Sequence, residues 1–213
     1  MGNRHASRVG LSHEAITDAA VGLLEAEGAD SLTMRLLAER LGVGTMTLYG
    51  YFRGKDELLE AIADRAARQV VDADVDSDWK TRLRTLVLEV HRSHLAHPAV
   101  VELRLRRPLL SRGALEVTER AMAILISAGF SPPEAARVYR LLFIFAFGFS
   151  AFGPPGRESE SDVAREALAG LPVDRYPILR AAVDEAAQAM SDPTLFDFGL
   201  ATLLDGLERL LER

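Results

Sequence analysis

The segment from Thr33 to Tyr51 constrains this chain of 213 residues most strongly, because it predicts two short helices joined by a tight turn. Before the turn, apolar residues recur at spacings of three and four, which is typical of one helix face: Met34, Leu37, Ala38 and Leu41. Gly42 follows where helices often end in a left-handed residue, and Thr45 stands where we expect the N-cap of the second helix. Leu48 and Phe52 are predicted to hold the second helix against the first.

The rest of this second helix carries small or hydrogen-bonding side chains that have little to contribute to a core. A helix-turn-helix presents such a helix to the major groove of DNA, although any two helices can be joined by Gly-Val-Gly. Local charge favours the DNA interpretation: from Ser31 to Lys55 there are four basic residues and one acidic residue, while the whole chain has a net charge of −6. A basic face on an acidic body suits contact with a few phosphates rather than a general coat on nucleic acid.

The flanking sequence extends the pattern. An apolar stripe ends at Gly28, and Lys55 to Leu59 opens a further helix. The stripe consists of Ile16, Ala19, Ala20, Leu23 and Leu24. Together with Leu32-Thr33-Met34-Arg35, Leu41-Gly42-Val43 and Thr47-Leu48-Tyr49-x-Tyr51-Phe52, these segments resemble the DNA-binding domain of the TetR family of transcriptional regulators over about residues 12–70.

The resemblance implies an all-α fold, with an N-terminal three-helix helix-turn-helix domain and a C-terminal helical domain for ligand binding and dimerisation. It also implies a ligand-responsive repressor that acts as a homodimer on a palindromic operator. We expect residues 1–11 to be a flexible basic arm, 12–54 the DNA-binding domain, 55–72 a connecting helix and 73–213 the regulatory domain. The arm is either disordered or reaches a minor groove, as basic arms can; we favour disorder.

The DNA-contacting residues are expected on the turn and on the helices beside it. Phosphate contacts are expected from Thr33, Tyr49, Tyr51 and Lys55. Base-edge contacts are expected from Arg35, Thr45, Met46 and Thr47, with Arg35 favouring a guanine. Gly50 stands where the family often has a bulkier residue, which should shorten the contacted half-site.

Composition narrows the remaining possibilities. The chain has no cysteine and therefore no disulfide or thiolate metal site. It shows no secretory signal, and its longest apolar run, Leu141–Phe152, is too short to span a bilayer. We therefore expect a cytoplasmic protein without a membrane partner. An all-α enzyme and a purely structural dimerisation module are the alternatives, but no Ser/His/Asp arrangement or glycine-rich phosphate loop stands out.

Two C-terminal helices are predicted to form the dimer interface. The helix that contains LLFIFAFGFSAF is apolar on every face, which predicts that it is buried all round. Its small residues Ala146, Ser150 and Gly153 match a small stripe of Gly199, Thr202 and Gly206 on the last helix, beside the heptad-like Phe196, Leu200, Leu203, Leu207 and Leu210. The alternative is that the glycines only accommodate neighbours within the chain. The interface is therefore assigned to Ala146, Ser150, Gly199, Leu203, Gly206, Leu207 and Leu210.

A pocket for a small, mostly apolar effector is expected in the same domain, because aromatic residues accompany a few polar ones there. Its candidate residues, each of which could instead be plain core, are Trp79, His91, His94, Arg104, Met122, Tyr139, Phe143 and Phe147. His91, His94 and His97 do not suggest a metal site, because His97 is rotated away from the other two, and no cofactor is expected. A faint likeness to tetracycline repressors, Trp79-x-x-x-Leu83 and Arg107-Pro108, lacks their polar drug-binding residues: Leu86 and Val71 stand where an amide and a histidine belong. Tetracycline is therefore not expected to be the inducer.

Overall fold

The computed structural model describes residues 11–28, 31–68, 70, 76–106, 111–152 and 158–212, and all regular secondary structure among them is helical. None of the described helices is long and apolar enough to cross a membrane. The helices are α1 (His13–Glu27), α2 (Met34–Leu41), α3 (Thr45–Tyr49), α4 (Lys55–Arg68), α5 (Trp79–Ala96), α6 (Pro98–Arg106), α7 (Arg112–Ser127), α8 (Pro132–Ala151), α9 (Glu158–Ala169), α10 (Pro177–Ala181), α11 (Val183–Met190) and α12 (Leu195–Leu211).

Local sequence signals set the ends of the first three helices. The hydroxyl of Ser12 accepts a hydrogen bond from the Ala15 amide, and Thr33 caps α2 in the same way. Gly42 ends α2 in the left-handed region, with φ of 67°, as its position predicts. The predicted N-cap at Thr45 is wrong: Gly44 holds the extended cap conformation and Thr45 is the first residue of α3.

The first core is built by α1 to α4 together with α6. Its fully buried side chains include Ile16, Leu23, Leu37, Leu48 and Leu58, and α6 adds Val100 and Leu103. Ion pairs join the same helices at the surface, from Arg40 to Glu27 at 3.2 Å and from Arg65 to Asp18. The helix-turn-helix is therefore held by a core to which α4 contributes one whole face.

The second core lies between α5, α7, α8 and α12, and its fully buried leucines include Leu83, Leu125, Leu200 and Leu204. Ion pairs fasten α12 to α5: Lys80 lies 2.6 Å from Asp205 and 2.8 Å from Glu208, and Arg84 lies 2.6 Å from Asp197. Helices α9 and α11 pack on each other and are joined by Arg165 and Asp184 at 3.0 Å.

Helix α8 is not buried all round, which corrects the expectation from its apolar sequence. One face lies in the second core and consists of Ala135, Val138, Leu142, Ala146 and Ser150. The opposite face leaves Leu141 and Ile144 about half exposed, and Phe152, the residue just after the helix, is almost fully exposed. A helix that is apolar on every face thus has only one face covered within its own chain.

Helices α4 and α7 approach each other unusually closely at Gly113. A Cβ atom added to Gly113 would lie 2.9 Å from the Cβ of Ala67 and 3.2 Å from the carbonyl oxygen of Asp64. The Gly113 amide also donates a 2.6 Å hydrogen bond to the Asp64 carboxylate. Glycine is therefore required here because the two helices leave no space for a side chain.

This contact yields a prediction about stability. Gly113→Ala should lower the free energy of unfolding by about 1–3 kcal/mol, because the added methyl overpacks the α4–α7 contact. Gly22→Ala is the matched control: Gly22 lies inside α1, and an added Cβ there would have no atom within 4 Å, so alanine should stabilise the protein by about 0.5–1 kcal/mol. Urea unfolding measures both, and equal effects of the two substitutions would contradict the close contact.

Candidate nucleic-acid interface and ligand cavity

Helix α3 is anchored by two side chains and exposes most of the others. Leu48 is completely buried and Phe52, just after the helix, is 2% exposed. Met46 is 81% exposed and Tyr49 47% exposed, although both are large and have apolar surface. Thr47 and Gly50 are exposed as well, and Thr45 is half-buried. The five residues of α3 therefore form a short, fixed ridge whose outer side has no partner among the described residues.

The basic residues near α3 are mostly paired with acids. Arg35 lies 3.7 Å from Glu39, and Arg53 lies 3.3 Å from Glu57. Arg40 forms the surface ion pair with Glu27 that is described above. Two of these acids, Glu27 and Glu57, lie outside the segment whose charges suggested a basic face. Among the described residues Lys55 has no ion pair, and it stands at the first position of α4, where the helix dipole also favours an anion.

Tyr51 has a structural role that the sequence did not indicate. Its hydroxyl donates a 2.8 Å hydrogen bond to the carbonyl of Leu11. The His13 ring lies edge-on to Tyr51 at 5.2 Å, and its Nε2 is 3.0 Å from the Tyr51 carbonyl oxygen. The expected phosphate contact of Tyr51 is therefore corrected, because its only side-chain donor already binds the start of α1. Thr33 differs, since its hydroxyl only accepts a bond as a helix cap and keeps its proton for another acceptor.

A cavity lies between α4, α5, α6, α7 and α8. Its atom-free volume is about 710 Å³, part of which is open to solvent. The wall is mostly aliphatic. It is lined by Ala66, Ala67, Val70, Leu83, Leu86, Val87, Val90, Ser93, His94, Val100, Arg104, Ala114, Val117, Ala121, Tyr139, Leu142, Phe143 and Ala146.

Four of the predicted ligand residues line this cavity: His94, Arg104, Tyr139 and Phe143. Four others, Phe147, Met122, Trp79 and His91, do not. The Phe147 ring is stacked on that of Phe143 with ring centres 5.7 Å apart, and Met122 packs against the second core. The Trp79 ring meets Phe130 edge-on at 6.1 Å.

His91 is bound within the second core. Its ring stacks on Phe196 with centres 3.8 Å apart, and its Nδ1 is 2.9 Å from the Ser150 hydroxyl. Because Ser150 already donates its proton to the Ala146 carbonyl, His91 Nδ1 must be the donor. Burial lowers the pKa of His91, so it is a neutral packing residue between α5, α8 and α12. Its assignment to the ligand site is corrected on that ground.

Polar groups are few among the described residues that line the cavity, and two of their atoms lack hydrogen-bond partners. Nε of Arg104 and Nδ1 of His94 are both shielded from solvent without a hydrogen-bond partner. Burial, with a smaller effect of the nearby Arg104 guanidinium, lowers the pKa of His94 to about 3. Burial also lowers the pKa of Arg104, although a guanidinium remains charged at neutral pH. Tyr139 is satisfied, since its hydroxyl is 2.7 Å from that of Thr118.

Sequence reasoning missed the contribution of α4 to the cavity, through Ala66 and Ala67, and that of Ser93 on α5. The hydroxyl of Ser93 donates a 2.8 Å bond to the Ala66 carbonyl and ties the two helices together. Alanines carry no chemical signal of a ligand site. The one available signal was the position of Ser93 beside His94, on a helix already assigned to the pocket. No three His, Asp or Glu side chains of the described residues are grouped to hold a metal ion.

The residues assigned to dimerisation divide into two groups. Ala146, Ser150 and Leu207 are buried in the second core, and a Cβ on Gly199 would lie 2.8 Å from the Phe145 ring of the same chain. These four residues face inward, which corrects their assignment. Gly206 has no atom within 4 Å of an added Cβ, and Leu210 is 53% exposed. Leu203 is half-buried, and Gly153 lies outside the described residues.

An exposed apolar surface nevertheless exists on these helices, and we call it the outward face of α8 and α12. It consists of Leu141, Ile144 and Gly148 on α8 with Phe152 just after that helix, and of Phe198, Thr202, Gly206 and Leu210 on α12. The two helices are neighbours, since the Phe145 ring lies against Gly199. Apolar side chains grouped in this way are unusual on a free protein surface and are typical of an interface.

Comparison with known proteins finds a matching family model for each half of the chain. The family model described as bacterial regulatory proteins, tetR family, matches residues 16–62. The model described as tetracyclin repressor-like, C-terminal domain, matches residues 73–211. The likeness to tetracycline repressors, faint in the C-terminal sequence, therefore extends over the whole C-terminal half.

Individual relatives agree with the family models. A helix-turn-helix transcriptional repressor of Mycobacterium tuberculosis is 32% identical, in an alignment that covers 97% of this chain and 84% of the relative. The class A tetracycline repressor from transposon 1721 of Escherichia coli is 30% identical over 93% of this chain and 91% of the relative. The crystal structure of ActR from Streptomyces coelicolor in complex with actinorhodin superposes with a TM-score of 0.82 at 28% identity, over 93% and 96% of the two chains.

The lowered pKa of His94 predicts a pH dependence of stability. The unfolded chain binds a proton at this residue below about pH 6.5, whereas the folded protein does so only near pH 3. The contribution of neutral, buried His94 to the free energy of unfolding is therefore complete above pH 6.5 and is lost as the pH falls towards 3. His94→Gln should remove up to about 1.4 kcal/mol per pH unit from the decline in unfolding free energy between about pH 6 and 4. Urea unfolding across this range measures the difference, and a folded-state imidazole that titrates near pH 6.5 by NMR would contradict it.

Proposed function

Because the chain belongs to the TetR family of transcriptional regulators, we propose that it is a repressor that binds a palindromic operator as a homodimer and releases it when a small, mostly apolar effector occupies the cavity. Helix α3 carries the proposal, since it exposes Met46 and Thr47 while Leu48 fixes it to the core. The family consists of regulators rather than enzymes, so the enzyme alternative is set aside. A purely structural module would leave the exposed ridge of α3 without a role.

On DNA, each subunit would place one α3 in the major groove, with half-sites about 34–36 Å apart or a multiple of that distance. Met46 offers an apolar contact for a thymine methyl group, and Thr45 and Thr47 offer hydroxyls to base edges. Arg35 reaches a base only if it leaves Glu39, which is 3.7 Å away. Lys55, Thr33 and Tyr49 would contact phosphates and set the register of the helix in the groove.

The outward face of α8 and α12 supports the homodimer. It is apolar, it spans two adjacent helices, and its members Gly148 and Gly206 leave open space for a partner backbone. Two copies related by a two-fold axis would bury this face as a four-helix contact, because the same patch serves both subunits in a symmetric dimer. Because Gly199 and Leu207 face the core of their own chain, the proposed interface does not include them. It is formed by the outward face instead.

The cavity is the proposed effector site, and α4 is the proposed link to the DNA. This helix begins at Lys55 and lines the cavity with Ala66 and Ala67 near its other end. Gly113 leaves α4 no room to move independently of α7. An effector that displaces the cavity end of α4 would shift the DNA-contacting end of the same rigid helix. The effector can weaken DNA binding only by as much as its affinities for the two arrangements differ.

Two relatives support a small-molecule effector without identifying it. ActR has been solved with actinorhodin, and the class A relative is named as a tetracycline repressor. We do not extend tetracycline to this chain, because Leu86 gives the cavity wall an aliphatic side chain where the likeness to tetracycline repressors leads us to expect an amide.

The DNA-binding proposal predicts two different kinds of defect. Lys55→Ala should weaken binding to all DNA sequences alike and lower the slope of affinity against salt by about one unit, because one phosphate contact is lost. Met46→Ala should instead change the preference at particular base pairs and leave the salt slope unchanged. Gel-shift titrations at several salt concentrations, on DNA from upstream of the protein's own gene and on base-substituted versions of it, measure both effects.

Arg112→Ala is the control for the loss of one positive charge, since Arg112 lies on α7 and pairs with Glu116 at 2.9 Å. It should bind DNA like the parent protein. The assignment fails if Met46→Ala and Lys55→Ala give the same defect, and the proposed function fails if the parent protein binds its upstream DNA no better than unrelated DNA.

The dimer proposal is tested by Gly206→Leu. A Cβ added at Gly206 meets no atom of its own chain, so the subunit should fold normally. In a symmetric interface the leucine would overpack two sites, each at about 1–3 kcal/mol, and operator affinity should fall because two half-sites are no longer bound as one unit. Sedimentation at micromolar concentration should show monomers, whereas Gly22→Leu, equally open but on α1, should stay dimeric. A Gly206→Leu dimer as tight as the parent's would contradict this interface.

A further inference from the structure

Among the described residues that line the cavity, one carries a charge and none is an acid. Within this set only Arg104 and His94 have side chains that can carry a positive charge, and there is no Asp or Glu. The pKa of His94 is so low that its imidazole is neutral at physiological pH. The described lining residues therefore carry a net charge of +1, and that charge belongs to the Arg104 guanidinium.

This charge is not compensated by the described part of the chain. No described carboxylate forms an ion pair with Arg104, and its Nε has no hydrogen-bond partner although it is shielded from solvent. By contrast, Arg35, Arg40 and Arg53 near α3 are all paired with acids. Burying a cation without a partner is unfavourable, so an unpaired one beside an open cavity is the exception that needs an explanation.

A second unpaired atom belongs to the same wall. Nδ1 of His94 also lacks a partner, and His94 and Arg104 are close enough for the guanidinium to affect the imidazole electrostatically. Apart from the hydroxyls of Ser93 and Tyr139, which have hydrogen-bond partners, the rest of the described wall is apolar. It includes Leu83, Leu86, Leu142 and the ring of Phe143. One end of a ligand would thus meet unsatisfied polar groups, and the rest would meet apolar surface.

We propose that the effector is an organic acid, with an apolar ring-bearing body and one carboxylate or similarly acidic group that pairs with Arg104. A guanidinium presents parallel N–H donors that match the two oxygens of a carboxylate. Neutral His94 can provide one further hydrogen bond at the same end. The ligand's role as an effector rests on the proposed function, but the binding site itself does not depend on DNA.

The test uses arenecarboxylic acids with one, two and three fused rings, each compared with its own carboxamide. Acid and amide have nearly the same shape and differ in charge. Calorimetric titration of the full chain without DNA gives the affinity of each. At least one acid should bind about tenfold or more tightly than its amide, which is the gain expected from a charge-assisted hydrogen bond.

Substitutions at Arg104 then locate the charge. Arg104→Met should reduce acid affinity about ten- to hundredfold and leave the amide within about twofold, while Arg104→Lys should keep a preference for the acid because it keeps the charge. Arg112→Met, on the exposed surface of α7, should behave as the parent. The ligand-free Arg104→Met protein should melt no lower than the parent, since it loses an unpaired buried charge rather than a structural contact.

The inference is overturned if no acid of the series binds more tightly than its amide, or if Arg104→Met keeps the preference of the parent. If Arg104→Met does not fold, Arg104→Lys still decides: loss of the preference in a variant that retains the charge would count against an ion pair. Failure here would leave the DNA-binding proposal intact, because gel-shift of the unliganded protein is measured separately.

Discussion

The close approach of α4 to α7 at Gly113 connects the core of the helix-turn-helix to the wall of the cavity. An added methyl group would come within 2.9 Å of Ala67, so the two helices cannot slide or rotate past each other without breaking the contact. Helix α4 also contributes Leu58 and Ile62 to the core that holds the helix-turn-helix. The position of α3 therefore depends, through α4, on the position of the cavity wall. Interfaces packed this tightly switch between discrete arrangements rather than deform gradually.

The N-terminal half could be predicted from sequence because its determinants are local. Gly42 adopts the left-handed conformation that its place requires, and Ser12 and Thr33 cap their helices through residues three positions away. Thr45 was misassigned because Gly44 and Thr45 are both acceptable caps, and tertiary packing chooses between them. The role of Tyr51 could not be read from the sequence, since its partner Leu11 is 40 residues distant along the chain.

The C-terminal half was predicted less well for a general reason. A stripe of small residues indicates that something approaches closely, but not whether the approaching atoms belong to the same chain. Gly199 makes room for Phe145 of its own chain, while Gly206, seven residues later, faces open space. The ligand residues show the same limit: His94 lines the cavity, whereas His91, one turn earlier, stacks on Phe196. Helical spacing alone cannot distinguish these environments, because α5 has core on more than one side.

The pairing of Arg35, Arg40 and Arg53 with glutamates has a consequence for how such a protein finds its target in a cell. A chromosome offers millions of incorrect sites, and proteins are held on them mainly by unpaired positive charge. An arginine that must leave a glutamate before it meets a phosphate gains less from an arbitrary stretch of duplex than a free arginine does. We therefore expect less of the protein to be held on random sequence, so that fewer copies keep an operator occupied.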